Sequence, residues 1–169
     1  MVQETPDIYQ FLDSHHISWQ RYDHPAVYTC EEAMTMVPDM DAANTKNLFL
    51  KDKKGRRHFL VSVGYEKNVD LKGLARLLGV GNLSFASPDR LKTHLGVEPG
   101  SVTLLAIIQD RQGAVEVVID KELWANDAFA CHPLVNTATL VISKAHMENF
   151  FTAANHSYAV VSVPERAMP

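Results

Sequence analysis

The sequence predicts a single-domain α/β protein, residues 1–169, built on one mixed β-sheet wrapped by helices. Three observations carry this. Short β-branched and apolar runs alternate irregularly with capped amphipathic segments. Several of those runs are joined by tight turns, which argues against a regular parallel βαβ array. No linker, repeat or low-complexity stretch interrupts the 169 residues, a length within the roughly 100–200 of one domain and sufficient for a core.

Thr5 is placed to cap a first helix, with Pro6 in its first turn and Ile8, Phe11, Leu12 and His15 on one face. A short strand is expected near Trp19 to Tyr22. Thr29-Cys-Glu-Glu32 matches a capping box, so a second helix is expected from about Cys30 to Val37. Lys46 to Lys51 and Arg57 to Val63 read as two strands joined by the turn Asp52-Lys-Lys-Gly55. Asp70 caps an amphipathic helix carrying Leu71, Leu74, Leu77 and Leu78, and Gly79 stops it. Leu83 to Phe85 reads as a brief strand. Ser87-Pro88 opens a helix that ends near Leu95-Gly96. Val102 to Ile108 and Ala114 to Ile119 read as strands around the turn Asp110-Arg-Gln-Gly113. Lys121 to Asp127 reads as a short helix and Thr137 to Ile142 as a strand. Ser143 caps a last helix to about Ala154, and Tyr158 to Val163 closes as a strand.

Composition narrows the function classes. A hydrophobic fraction of 46% with 21% charged residues is ordinary for a globular protein. No apolar run reaches the roughly 18 residues needed to span a bilayer. The first residues have neither a basic nor an apolar signal region, and Cys30 and Cys131 make no disulfide framework, so a cytoplasmic location is expected. The net charge of −4 argues against indiscriminate gripping of phosphate backbone. A local basic cluster, Lys51, Lys53, Lys54, Arg56 and Arg57, is either a solvated turn or a nucleic-acid contact beside a pocket.

Eight histidines invite a metal, but their spacing does not support one. His15 and His16 are adjacent and would diverge by roughly 100° on a helix. No H-E-x-x-H, C-x-x-C, G-x-S-x-G or Walker loop occurs. No metal and no cofactor is expected. Three features remain. Thr45-Lys46-Asn47 enters the apolar strand Leu48-Phe49-Leu50, so the Lys46 ammonium either meets an anion at the sheet edge or snorkels to solvent. Glu98-Pro-Gly100-Ser101-Val-Thr103 makes a tight turn, whose backbone N–H groups either hold developing negative charge or simply lead into a strand. His132 precedes Pro133, which biases it to extended backbone at a pocket wall or in a structural role. Cys131 beside it has no activating base and reads as packing.

Taken in this order and at these separations, Lys46-Asn-Leu-Phe-Leu-Lys-Asp52, Pro99-Gly-Ser-Val-Thr103 and His132-Pro-Leu-Val-Asn-Thr-Ala-Thr139 resemble the YbaK-type family. That family includes the editing domain inserted in prolyl-tRNA synthetase and its freestanding relatives. The likeness runs from about Ile8 to Val163, and the string from His132 is its most specific piece. The resemblance implies a curved mixed sheet surrounded by helices. It implies hydrolysis of the ester between a misattached amino acid and the terminal adenosine of tRNA. The match is to the freestanding branch that clears alanine from tRNA(Pro). Aminoacyl-tRNA is then the partner, association with prolyl-tRNA synthetase is compatible with it, and oligomeric state stays open.

By position, the resemblance implies that Lys46 meets the substrate near the adenosine and that Gly100 and Ser101 line the ester with backbone. Asn47 shapes the site, His132 borders the amino-acid pocket, and Asn136, Tyr28 and Phe129 join them as substrate-binding residues. The family pattern continues Gly-Ser-Val-Thr with proline where this chain has Leu104, a departure that bears on amino-acid specificity. The expected chemistry is direct attack by water, with Lys46 offsetting charge and the Gly100–Ser101 backbone holding the oxyanion. Two other readings share some of these residues. One is a noncatalytic module binding the tRNA 3′ end or a synthetase, and the other is a metal hydrolase, which the histidine spacing opposes.

Overall fold

The computed structural model describes residues 7–26, residue 32 and residues 40–167. Among these, eight strands form one mixed sheet: β1 (Gln20–Asp23), β2 (Ala43–Asp52), β3 (His58–Gly64), β4 (Leu83–Phe85), β5 (Val115–Asp120), β6 (Ala128–Cys131), β7 (Ala138–Ser143) and β8 (Tyr158–Val161). Their order is β1-β7-β6-β2-β3-β5-β8, with β4 also paired to β2. The helices are α1 (Ile8–Ser14), α2 (Leu71–Leu78), α3 (Pro88–Leu95), α4 (Lys121–Trp124) and α5 (Lys144–Ala153). The mixed sheet flanked by helices agrees with the fold class read from the sequence.

Several ends follow from capping chemistry. Asp7, not Thr5, caps α1, with its carboxylate accepting from the N–H groups of Tyr9 and Gln10. Thr5 and the helix expected from Cys30 to Val37 lie outside the described residues, apart from the helical Glu32. His15 is the C-terminal cap of α1 and is exposed, so it does not belong to the buried face of Ile8 and Leu12. Ser87 caps α3 by accepting from the Arg90 N–H, and Ser143 caps α5 by accepting from the His146 N–H. Gly79 ends α2 at φ 74°, where a side chain would be strained.

One expectation was wrong, and one strand was not expected. Val102 to Ile108 is not a strand: Leu104–Gln109 forms a 3₁₀ helix, capped by the Thr103 hydroxyl, which accepts from the Leu105 N–H. Leu104 through Ile108 are all buried. A run covered on every side has no polar face, so its pattern does not separate helix from buried strand. Ala128–Cys131, to which the sequence pattern assigned no element, is the strand β6. It joins β2 to β7 and so connects the two halves of the sheet.

β2 is the seam. It runs parallel to β6 at Ala43–Phe129 and Asn44–Ala130, then antiparallel to β3 from Thr45 to Lys51. One face carries the larger core, with Phe49, Leu60, Val117 and Phe129 packed against α1, α3, the 3₁₀ helix and α5. The other carries Leu50, Phe59, Val61 and Val63 against α2.

Candidate functional site

Lys46 pairs across the sheet with Val63, Leu48 with Val61, and Leu50 with Phe59. Directly paired residues project to the same side, so Lys46 stands at the end of an apolar stripe facing α2. Its Nζ donates to the backbone carbonyl of Lys67. That carbonyl is held in turn, because the Lys67 ammonium lies 3.0 Å from Asp120 Oδ2. The second Asp120 oxygen accepts from the Val163 N–H at 3.0 Å. An ammonium has three donors, so one bond to a carbonyl fixes Lys46 and leaves two donors for a ligand.

Those donors face a hollow of about 780 Å³ whose lining includes Lys46, Leu48, Asp70, Lys72, Phe85 and Arg166. Gly100, Ser101, His132 and Asn136 are not among its lining residues. Asn47 is not either, for a local reason. Successive strand residues point to opposite faces, so Asn47 projects away from Lys46, opposite Ser62. The Asn47 Oδ1 and the Ser62 Oγ are buried with no hydrogen-bond partner among the described residues. Asn47 therefore supports β2 from behind and is not a wall of this hollow.

His132 follows β6. The parallel β2–β6 ladder ends at Asn44–Ala130, before it reaches this residue. The His132 Nδ1 lies 3.1 Å from the Ala138 carbonyl. A carbonyl only accepts, so Nδ1 carries the proton and the neutral ring presents Nε2 as an acceptor. Burial holds the His132 pKa below the usual histidine value; nearby His24 lowers it further, while the Ala138 bond acts the other way.

His24 was not foreseen from the sequence. Its ring centre lies 6.2 Å from that of His132. Its Nδ1 is 2.8 Å from the Pro25 carbonyl and its Nε2 is 2.8 Å from the Thr139 hydroxyl. The signal was present as a second His-Pro pair, His24-Pro25, matching His132-Pro133.

The depressed pKa of His132 has a measurable consequence. In an NMR titration its ring signal is expected to change only below the usual value of about 6.5. The unfolded chain takes up that proton more readily, so the neutral ring contributes stability that is fully present above about pH 6.5. That contribution is lost as pH falls through the folded value. A midpoint at or above 6.5 would contradict this.

The Gly100–Ser101 turn is tight, with Gly100 at φ 92°. The Ser101 N–H already donates to the Glu98 carbonyl at 3.0 Å. It is a closure of the turn, so the expectation of an oxyanion donor at Ser101 is corrected. Leu104 opens the 3₁₀ helix and is buried in the larger core. A first helical position accepts proline or leucine, so the departure at this position changes core packing, not the backbone.

Phe129 is 1% exposed, and its ring stacks on Trp124 at 5.3 Å, which makes it a core residue and not a pocket wall. Asn136 is half-buried in the loop before β7, and Tyr28 lies outside the described residues. In the basic turn, Lys53, Lys54 and Arg56 are exposed, while Arg57 is paired with Glu116 at 2.8 Å. Among the described residues, no group of three or more His, Cys, Asp or Glu side chains is placed to hold a metal ion.

Cys131 lies in the larger core, and burial pushes its thiol up to about 12. The thiolate is the reactive form. Peptide mapping after iodoacetamide treatment at pH 8 is therefore expected to find Cys131 unmodified in native protein and modified after denaturation. Labelling of the native chain at Cys131 would refute the packing role.

The aminoacyl-tRNA editing domain model matches residues 24–150. The prolyl-tRNA editing protein ProX of Acetoanaerobium sticklandii is 36% identical over 152 residues, covering 90% of this chain and 93% of that protein. Prolyl-tRNA synthetase associated domain-containing protein 1 of Danio rerio is 38% identical over 163 residues, covering 95% of this chain and 88% of that protein. The crystal structure of the hypothetical protein APE2540 superimposes with a TM-score of 0.71 at 16% identity, covering 94% and 99% of the two chains. A structure provisionally assigned as a trans-editing enzyme for prolyl tRNA synthetase gives 0.65 at 16% identity, covering 97% and 100%. At that identity the solved structures speak to the fold alone. The sequence relatives, matched over nearly their whole length, and the domain model together establish that this chain belongs to the family of aminoacyl-tRNA editing domains.

Proposed function

We propose that this protein acts in trans as a deacylase. It hydrolyses the ester joining a misattached small amino acid to the terminal adenosine of tRNA(Pro), and alanine is the amino acid released. One observation carries the chemistry: the Lys46 ammonium is anchored by the Lys67 carbonyl at the wall of an open hollow, with donors left over. The names of the relatives support the substrate class, since one is a prolyl-tRNA editing protein.

In the proposed reaction, water attacks the ester carbonyl carbon. The bond from that carbon to the ribose oxygen breaks, the ribose oxygen takes one of the water's protons, the other is released to solvent, and the amino acid leaves as its carboxylate. Lys46 holds the adenosine end and offsets negative charge. The family resemblance alone puts the Gly100 turn at the developing oxyanion, since Gly100 does not line the hollow that Lys46 faces. The Nε2 of neutral His132 accepts from the substrate's α-ammonium and orients the ester. An aminoacyl ester is already activated, so held geometry supplies much of the acceleration, up to roughly 7–11 kcal/mol in favourable cases. One methylene separates substrates by only about 1–3 kcal/mol, so discrimination against proline rests on steric exclusion.

The test is a panel of tRNA(Pro) charged with alanine, serine, cysteine, threonine and proline, each incubated with purified protein. The alanyl ester is expected to be cleaved fastest and the prolyl ester slowest. Tight binding of all five with hydrolysis of none would instead make the protein a noncatalytic 3′-end-binding module.

A further inference from the structure

Phe85 is 61% exposed, an uncommon condition for a phenylalanine on a strand. It pairs with Leu50 across β4 and β2, on the same side of the sheet as Lys46 and Leu48, and it forms part of the hollow's wall. Lys72, in the first turn of α2, and Arg166 line the same hollow. Arg166 is held there by its backbone, because its N–H donates to the Asn68 carbonyl at 2.8 Å and Glu165 bridges Val69. The lining thus carries three cations, Lys46, Lys72 and Arg166, against one carboxylate, Asp70. This local excess of positive charge stands on a chain whose net charge is −4.

An exposed aromatic face next to spaced cations suits single-stranded nucleic acid: every base has a face to stack, and each linking phosphate is an anion. An acidic peptide would use the cations but leave the ring without a partner.

We infer that Phe85 is a stacking platform for an unpaired base next to the terminal adenosine, and that Lys72 and Arg166 hold the phosphates linking the two. This rests on the proposed deacylase reading for the direction of the strand, with the terminal adenosine at Lys46. It adds a base-binding subsite and three residues that the family resemblance did not supply. The subsite takes single-stranded RNA ends.

The experiment has two arms. In the first, fluorescence anisotropy follows binding of an uncharged RNA pentamer ending in CCA to the full chain. Phe85→Ala is expected to weaken binding about tenfold and Phe85→Trp to retain it, given the contribution of one base stack. Lys72→Ala and Arg166→Ala are each expected to reduce the slope of log affinity against log salt by about 0.7, the value for one phosphate on a single strand. In the second arm, steady-state kinetics compare an alanylated acceptor-stem minihelix with 3′-O-alanyl-adenosine. Phe85→Ala is expected to raise KM about tenfold on the minihelix, leave kcat within about twofold, and leave the alanyl-adenosine rate unchanged.

Unchanged RNA binding in Phe85→Ala overturns the inference. So does equal loss on both esters, which would mark a structural role. Loss of binding to prolyl-tRNA synthetase with RNA binding intact overturns it in favour of a protein partner. Wild-type protein that hydrolyses neither ester, yet binds the pentamer through Phe85, refutes the deacylase reading and leaves the subsite standing.

Discussion

Replacing Lys46 by alanine is expected to lower kcat/KM on Ala-tRNA(Pro) by about 10²- to 10³-fold, the loss typical when one preorganised electrostatic contact to a reacting centre is removed. The chain should stay folded. Lys46 is only partly buried, and what the fold loses is one bond to the Lys67 carbonyl, a change of about 1 kcal/mol. Lys46→Arg is expected to recover little activity. A planar guanidinium is bulkier than an ammonium and cannot reproduce both the carbonyl anchor and the remaining donor directions. Single-turnover rates, with circular dichroism as the check on folding, measure both effects. A folded Lys46→Ala variant with unchanged turnover removes this residue from the mechanism.

The largest expected effect on stability is at Asp120. Its carboxylate is 2% exposed and pairs with a Lys67 ammonium that is 10% exposed, while also accepting from the Val163 N–H. Asp120→Ala leaves a buried cation and a buried amide without partners. Breaking a buried pair from one side destabilises by about 3–5 kcal/mol. For a chain of this size that lowers Tm by roughly 6–20 °C, at about 2–4 °C per kcal/mol. The double variant Asp120→Leu with Lys67→Met removes both charges and is expected to recover most of the loss, because two apolar groups need no pairing. Thermal unfolding of the three proteins decides this. A single variant as stable as the parent shows that the pair carries no net stabilisation.

The helices with caps were legible because their signals are local. Ser87-Pro88, Ser143 and Gly79 each mark a boundary through a hydrogen bond or a left-handed residue that lies within a few positions. The hairpin at Asp52 to Gly55 was legible for the same reason, with the Asp52 carboxylate accepting from the N–H groups of Arg56 and Arg57. β6 was not legible. Ala-Phe-Ala-Cys is four residues whose strand character comes from neighbours on both sides, β2 and β7, and not from its own pattern.

The site was legible in part. Lys46 and His132 both came from the family motif, but of the two only Lys46 lines the hollow beside α2. Asn47 was misplaced because a motif read as a string ignores the alternation of a strand. Phe129 was misplaced because an aromatic residue near a histidine reads alike in a pocket and in a core. Phe85, Lys72 and Arg166 belong to β4, α2 and the chain after β8, and only the folded sheet gathers them around Lys46.

The strand order also constrains synthesis. The hairpin of β2 and β3, together with β4, needs only contiguous chain and can close soon after it leaves the ribosome. β1 has no such early neighbour: it pairs with β7, which is translated long after it. Until β7 emerges, β1 therefore remains without its sheet partner, which exposes it to chaperones and to mispairing between chains on one polysome.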